Sequence, residues 1–192
     1  MVAAASGLPL TRYTHISVHA PSQFSSDDEG GIVEQLSIFQ ARGWPIVLHP
    51  DTIHDFGLWR RFGASLLIEN MDKRKPIGRN VEELGRIFSE LPDAGLCFDI
   101  AHATQYDPTM LEAYSILAAY ADHLRQVHIS EVSTKSRHTR LSYGAILDFQ
   151  KVAHRIPEGV PIIIESPVAA HEIADEIRRA GEALTPRAAV AV

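Results

Sequence analysis

The chain has 192 residues, enough for one domain with a full core, and its 45% hydrophobic and 22% charged content is that of a globular protein rather than a disordered one. Its 18 basic against 24 acidic residues give a net charge of −6, which excludes a broad electrostatic footprint for nucleic acid and confines any such contact to a local patch. The single cysteine, Cys97, excludes an internal disulfide and, set inside an apolar run, reads as a small buried side chain of a cytoplasmic protein.

Met1 to Leu10 lacks the basic start and apolar stretch of a secretory signal, and no run approaches the roughly 18 apolar residues of a membrane span. No contact with a membrane is expected. After an N-terminal extension over residues 1–12, apolar runs and helical patterns alternate. Tyr13–His19 (YTHISVH) precedes a helix over Gly31–Arg42, and Pro45–His49 precedes a short one near Leu58–Phe62. Ser65–Glu69 is followed by a helix over Val81–Leu91, Gly95–Asp99 by one over Pro108–His123, the run around Gln126–His128 by Ala145–Arg155, and Pro161–Glu165 by Ala169–Leu184. Residues 185–192 form an alanine-rich tail. The apolar runs are rich in Ile, Val and Leu without strict alternation, as strands covered on both faces are. Six βα units predict an α/β fold, a shortened (β/α) barrel of the TIM type with about six parallel strands and outer helices over residues 13–184. No glycine-rich phosphate fingerprint follows the first run, which argues against a dinucleotide fold. Eight units need about 250 residues, so roughly two are absent, and the sheet edges thereby exposed are expected to be covered by the N-terminal segment or by another copy of the chain, making a homo-oligomer.

Each of the six runs ends in a potential metal ligand: His19, His49, Glu69, Asp99, His128 and Glu165, at intervals of 30, 20, 30, 29 and 37 residues. Parallel strands alternating with helices bring their C-terminal ends to one face, so six ligands scattered in sequence become one polar cluster. Imidazole and carboxylate together suit zinc or manganese, with iron also compatible, and the lone cysteine excludes a thiolate site. His102 and His138 lie just beyond strand ends and join the candidates, whereas His123, His154 and His171 read as surface groups on helices, His54 as a loop residue and His15 as a hydrogen-bonding group deeper on the face of His19. Seven basic residues crowd two loops after the strand ends: Lys73, Arg74, Lys75 and Arg79, then Lys135, Arg137 and Arg140. A local basic rim on an acidic chain is suited to holding one phosphate or carboxylate group.

The segments SVHAP (17–21), VLHPD (47–51), LIENMD (67–72), CFDIAHA (97–103), VHISE (127–131), SRHTRLSYG (136–144) and IIIESP (162–167) resemble, in order, the motifs of the xylose-isomerase-like barrel superfamily. This superfamily contains sugar isomerases and epimerases and the endonuclease IV group, AP endonuclease family 2. The resemblance runs from about residue 13 to 183 and begins at the third strand of the family, so the first two βα units are lacking. It implies that Glu69, Asp99, His128 and Glu165 hold one divalent metal, and that His19, His49, His102 and His138 match further ligands of the trinuclear zinc pattern. Ser136 replaces an aspartate of that pattern, Glu131 an aspartate and Ser142 a glycine, so one or two ions are expected and a third lacks a carboxylate.

Several activities follow from this ligand face. A metal-dependent sugar or sugar-phosphate isomerase or epimerase would use the metal to polarise a carbonyl and hydroxyl pair while Glu69 and Glu165 move a proton between adjacent carbons. Glu69, Glu165 and His102 are its catalytic candidates, with Lys73, Arg137 and Arg140 binding a small anionic sugar-like substrate. A multinuclear zinc phosphoesterase of the endonuclease IV kind is the alternative favoured by the extra histidines, and a multinuclear iron oxidase or a non-catalytic metal-binding barrel uses the same ligands.

Overall fold

The structure is a computed structural model that describes residues 10–186. The first nine residues of the N-terminal extension and residues 187–192 of the alanine-rich tail lie outside the described residues. Six strands form one parallel sheet in sequence order: β1 (Val18–His19), β2 (Ile46–Leu48), β3 (Leu66–Glu69), β4 (Gly95–Asp99), β5 (Leu124–Ile129) and β8 (Ile162–Ile164). The sheet is curled into a half-barrel, the shortened TIM-type architecture expected from the βα repeat. Among the described residues its edges, β1 and β8, each pair with one neighbour only.

The period of two along each strand sorts the core into two layers. Ile46 and Leu48, Leu66 and Ile68, Leu96 and Phe98, and Val127 and Ile129 face outward into the main hydrophobic cluster, which they share with the helices. Val47, Leu67 and Cys97 form a separate small cluster on the concave side. Two residues further along, on that same inner side, each strand reaches its C-terminal end: His49 after Val47, Glu69 after Leu67, Asp99 after Cys97. Alternation alone therefore aims every strand-end ligand into the bore, because a residue at i+2 repeats the direction of residue i.

The helices are α1 (Ser26–Gln40), α2 (Phe56–Trp59), α3 (Val81–Glu90), α4 (Ile100–Tyr106), α5 (Leu111–Ala119), α6 (Tyr143–Phe149) and α7 (Ile173–Ala183). Three depart from the sequence reading: α6 ends at Phe149, six residues before Arg155, and the starts of α1 and α4 differ. α1 starts five residues before Gly31, at a first turn of Asp27, Asp28 and Glu29 whose charges complement the positive helix end, and Ser25 Oγ donates to Asp28 across the N-terminus at 2.6 Å. α4 begins directly at the end of β4, because the Asp99 side chain accepts from the His102 backbone N–H at 2.7 Å and caps the helix. A two-stranded antiparallel hairpin, β6 (Glu131–Val132) with β7 (His138–Thr139), rises from the end of β5 where a loop was expected. Ser133 tightens its turn by accepting from the Lys135 and Arg137 backbone N–H groups, and Ser136 takes a positive φ of 49°.

The loop between β3 and α3 lies beside the strand ends and is closed by a bond from Met71 N–H to the Gly78 carbonyl at 2.8 Å. Gly78 has a φ of 88°, and a Cβ there would sit 2.5 Å from Pro50 Cγ. Gly78→Ala is therefore expected to destabilise the protein by about 1–3 kcal/mol through backbone strain and a clash that Pro50 cannot relieve by rotation. Urea denaturation checks this, and an unchanged midpoint would show that the loop relaxes freely.

Candidate metal centre

Glu69, at the end of β3, is 1% exposed, and imidazoles approach it from both sides of the bore. Its Oε2 lies 3.0 Å from His19 Nε2 on β1 and 3.2 Å from His49 Nε2 after β2. Its Oε1 lies 3.2 Å from His128 Nδ1 on β5 and 3.7 Å from His102 Nδ1 on α4. Glu165, just after β8, reaches the same His128 Nδ1 at 3.1 Å and lies 3.6 Å from His138 Nδ1 on the hairpin. Asp99 spends one oxygen on the α4 cap and keeps the other 3.7 Å from His102 Nδ1.

The strand ends are held by polar groups that do not stand out in the sequence. Asn70, wholly buried, clamps β3 to β4 by accepting from the Asp99 N–H at 2.8 Å and donating to the Asp99 carbonyl at 2.9 Å. Its own carbonyl lies 3.0 Å from His102 Nδ1 and fixes that ring. On the hairpin, Ser130 Oγ lies 2.8 Å from His138 Nδ1.

Burial opposes charge on Glu69, yet hydrogen bonds from His128, His19 and His49 hold its carboxyl well below the usual range. Glu165 is likewise lowered, burial being outweighed by His128. Burial pushes Asp99 the other way, up to about 7, with Glu69 and Glu165 adding to the rise and His102 opposing it. For His19, His102 and His128 burial favours the neutral ring, but the acidic neighbours win and all three are raised. Burial pushes the Cys97 thiol up to about 12, so it stays neutral beside His128, and the charges that govern that ring are those of Glu69 and Glu165.

The donor set fits a divalent cation. Single ligand atoms from Glu69, Asp99, His128 and Glu165 all lie within 4.8 Å of one another, and the same holds for His19, His49 and Glu69. Glu69 belongs to both groups, which gives two adjacent positions sharing one carboxylate. Three buried atoms of these residues, His49 Nδ1, Asp99 Oδ2 and Glu165 Oε2, have no hydrogen-bond partner, and a buried polar atom left so is costly. His102 and His138 border the same cavity but join neither group, and among the described residues no third group forms.

The cavity over these ligands measures about 430 Å³ and is walled by Ser22, Gln23, Met71, Asp72, Arg74 and Lys75. The anion-binding residues expected from the sequence are not the ones placed there. Arg140 is drawn away to α7 by Glu172, Asp175 and Glu176. Lys73 turns into a separate cavity beside the hairpin, and Arg137 stays exposed outside both. Arg74 and Lys75 are the basic groups that reach the site, each anchored by a carboxylate: Arg74 to Asp72 at 3.0 Å and Lys75 to Asp51 at 2.6 Å. Arg79 turns back onto Glu83 of α3. His123, read as a surface group, instead packs on Phe88 at 4.7 Å between ring centres.

A curled sheet of six parallel strands with carboxylates and imidazoles at their C-terminal ends defines the class, a shortened barrel of the TIM type whose strand ends could hold a metal. The family profile described as xylose isomerase-like TIM barrel matches residues 56–185, more than half of the chain, and the chain belongs to this family. Among solved structures it is similar to a 3-keto-D-glucoside 4-epimerase from E. coli in its apo form, with 13% identity over 85% of this chain and 74% of that one and a TM-score of 0.52, a likeness of fold. A search of curated proteins gives no significant match.

Zinc or manganese titration, with elemental analysis, is expected to give one to two equivalents. Glu69→Gln should weaken both positions, while Asp99→Asn should weaken one and spare the pair of histidines on β1 and β2. The ligands bind deprotonated, and His19 and His128 are raised while Asp99 sits at about 7, so metal competes with protons and affinity should climb as pH rises through 7. Affinity that is flat across that range would contradict the assignment.

Proposed function

We propose that this chain is a divalent-metal-dependent sugar isomerase or epimerase that moves a proton at a carbon beside a carbonyl of a small anionic substrate. The observation that carries the reading is the cluster of Glu69, Asp99, His128 and Glu165, of which Glu69 and Glu165 line a cavity of about 430 Å³. That volume falls in the range of roughly 300–1,000 Å³ typical of small-molecule sites. Membership of the xylose isomerase-like family supports it, and the fold neighbour is itself named an epimerase of a keto sugar.

The four ligands would hold one ion, which when bound polarises a carbonyl oxygen and stabilises charge developing on it. The chain's own groups do the rest. Glu165 is the proton-transfer group: it stands at the cavity wall, its carboxyl is lowered and therefore ionised, and Oε2 makes no hydrogen bond, with His138 Nδ1 3.6 Å away. Glu69, deeper and bonded by three imidazoles, fixes the geometry and faces Glu165 across His128. Arg74 and Lys75 offer the cavity's positive charge, and because Asp72 and Asp51 already hold them in place, little side-chain entropy is lost when they meet an anionic group.

The shared Glu69 supports a second reading, a two-metal phosphoesterase, since adjacent ions can clamp the attacking and leaving oxygens of a phosphate ester. Against a polynucleotide substrate stand the net charge of −6 and the in-chain pairing of Arg74, Lys75, Arg79 and Arg140. Unpaired cations along a groove are what a phosphate backbone needs.

Metal-loaded protein incubated in D₂O with keto sugars and sugar phosphates is expected to place deuterium on a substrate carbon, read by NMR or mass spectrometry. Glu165→Gln should lower that exchange by about 10²–10⁴, the range of general acid–base catalysis. Cleavage of an abasic-site oligonucleotide with no exchange on any sugar would overturn the reading in favour of the phosphoesterase. Arg74→Gln should raise KM roughly tenfold, a loss of about 1.4 kcal/mol, with kcat little changed, because an anchor remote from the reacting carbons serves ground and transition states alike.

A further inference from the structure

Inside the bore, below the ligand layer, a wholly buried amide bridges two histidines from opposite sides of the half-barrel. Gln126 of β5 is 0% exposed; its Oε1 lies 2.7 Å from His15 Nε2, just before β1, and its Nε2 lies 2.7 Å from His128 Nε2 and 3.6 Å from Cys97 Sγ. Neither Gln126 nor His15 is among the ligand groups, and neither borders the cavity over them. A buried amide hydrogen-bonded at both ends is a committed element, since each of its two ends fixes which ring nitrogen opposite it carries a proton.

The geometry decides which nitrogen of His128 can meet a metal. Nδ1 faces Glu69 and Glu165 at 3.2 and 3.1 Å, whereas Nε2 is covered by Gln126. A metal must therefore take Nδ1, and the ring then carries its proton on Nε2. That N–H needs an acceptor; beside it lie the Gln126 amide and the weakly accepting sulfur of Cys97, and the amide oxygen is the stronger of the two, so the amide presents Oε1 to His128 and its NH₂ to His15. His15 then accepts at Nε2 and keeps its own proton on Nδ1. As the structure shows it, the amide points the other way, with its nitrogen on His128. With both rings neutral, the two arrangements differ by a turned amide and by one proton moved between the nitrogens of each ring; any further proton on His128 leaves when a metal takes Nδ1. The Cys97 thiol, neutral in both, can donate to the amide oxygen in the turned form.

We propose that Gln126 and His15 are positioning residues for the metal site: together they hold His128 with Nδ1 bare and Nε2 protonated, and loading of the metal turns the Gln126 amide over. This rests on the metal reading above and extends it to a pair of residues outside the ligand set. Outer partners of this kind orient a ligating imidazole and typically carry a 10–100-fold effect on metal affinity.

The test uses zinc, which suits NMR, and the whole chain. In the zinc-loaded protein, ¹H–¹⁵N ring correlations should show His128 bound through Nδ1 with a proton on Nε2, and His15 with a proton on Nδ1 and a bare Nε2. Gln126→Leu should raise the zinc Kd of this position by 10–100-fold. Gln126→Glu, whose carboxylate accepts from both rings, should keep the wild-type Kd within a few-fold while moving the His15 proton back to Nε2, a signature that mere packing would not produce. His128 bound through Nε2, a proton on His15 Nε2 in the loaded wild type, or a Gln126→Leu protein that folds and binds zinc as the wild type does would overturn the proposal and leave the metal reading intact. Wild-type protein that binds no zinc would overturn both.

Discussion

A single carboxylate, fully removed from water and approached by imidazoles from three strands and a helix, sets the terms for the concave side of this half-barrel. Glu69 is in the middle of the sheet order, and His19, His49 and His128 converge on it from β1, β2 and β5. Isolated, such a group would neutralise or stay wet, because burying an unpaired charge is expensive. Surrounded by imidazoles it stays ionised, and the same surroundings raise three of the histidines. The charges thus hold one another in place, and the arrangement is suited to a cation that would replace the ring protons as the positive partner. Its position follows from the strand period: the layer of Val47, Leu67 and Cys97 lies directly below and keeps the base of the cluster dry.

Around this centre, charge is arranged in a graded way. At the floor, carboxylates and imidazoles face each other with buried atoms left free for a ligand. At the wall, Arg74 and Lys75 are each tied to an aspartate, so their positive ends are fixed in direction but not extinguished. Farther out, Arg79 and Arg140 are absorbed by the helices that follow, where they connect loops to α3 and α7. An acidic chain can in this way present a small positive zone to a small anion and still lack the extended cationic track that a nucleic acid demands.

The pieces between the strands matter because they hold ligands at fixed orientation. Asp99 caps α4 with one oxygen and keeps the other for the site, and Asn70 ties its backbone to β3. The hairpin brings His138 to Glu165 and Ser130. These contacts join residues within the C-terminal face rather than in the apolar core, so substitutions there act on geometry more than on burial.

The sequence by itself determined the six parallel strands, their order and the carboxylate or imidazole residue at the end of each, because both features are local: a run of Ile, Val and Leu makes a covered strand, and a period of two aims its last residue inward. His19, His49, Glu69, Asp99, His128 and Glu165 were all legible in this way. Two further local signals start helices: the acidic turn at 27–29 ahead of a glycine pair for α1, and the Asp99 cap for α4. What only the tertiary structure decided were the partners of long polar side chains. Nothing local to Arg140 shows that α7 and the turn before it bring three carboxylates to it across more than thirty residues, or that Lys73 turns from the site while its neighbours Arg74 and Lys75 face it. The bridge from His15 to Gln126 spans 111 residues and two opposite strands, and no spacing in the sequence encodes it. Strand direction is fixed by backbone geometry a few residues long, whereas a flexible side chain goes wherever folding has placed the opposite charge or the complementary hydrogen-bonding atom.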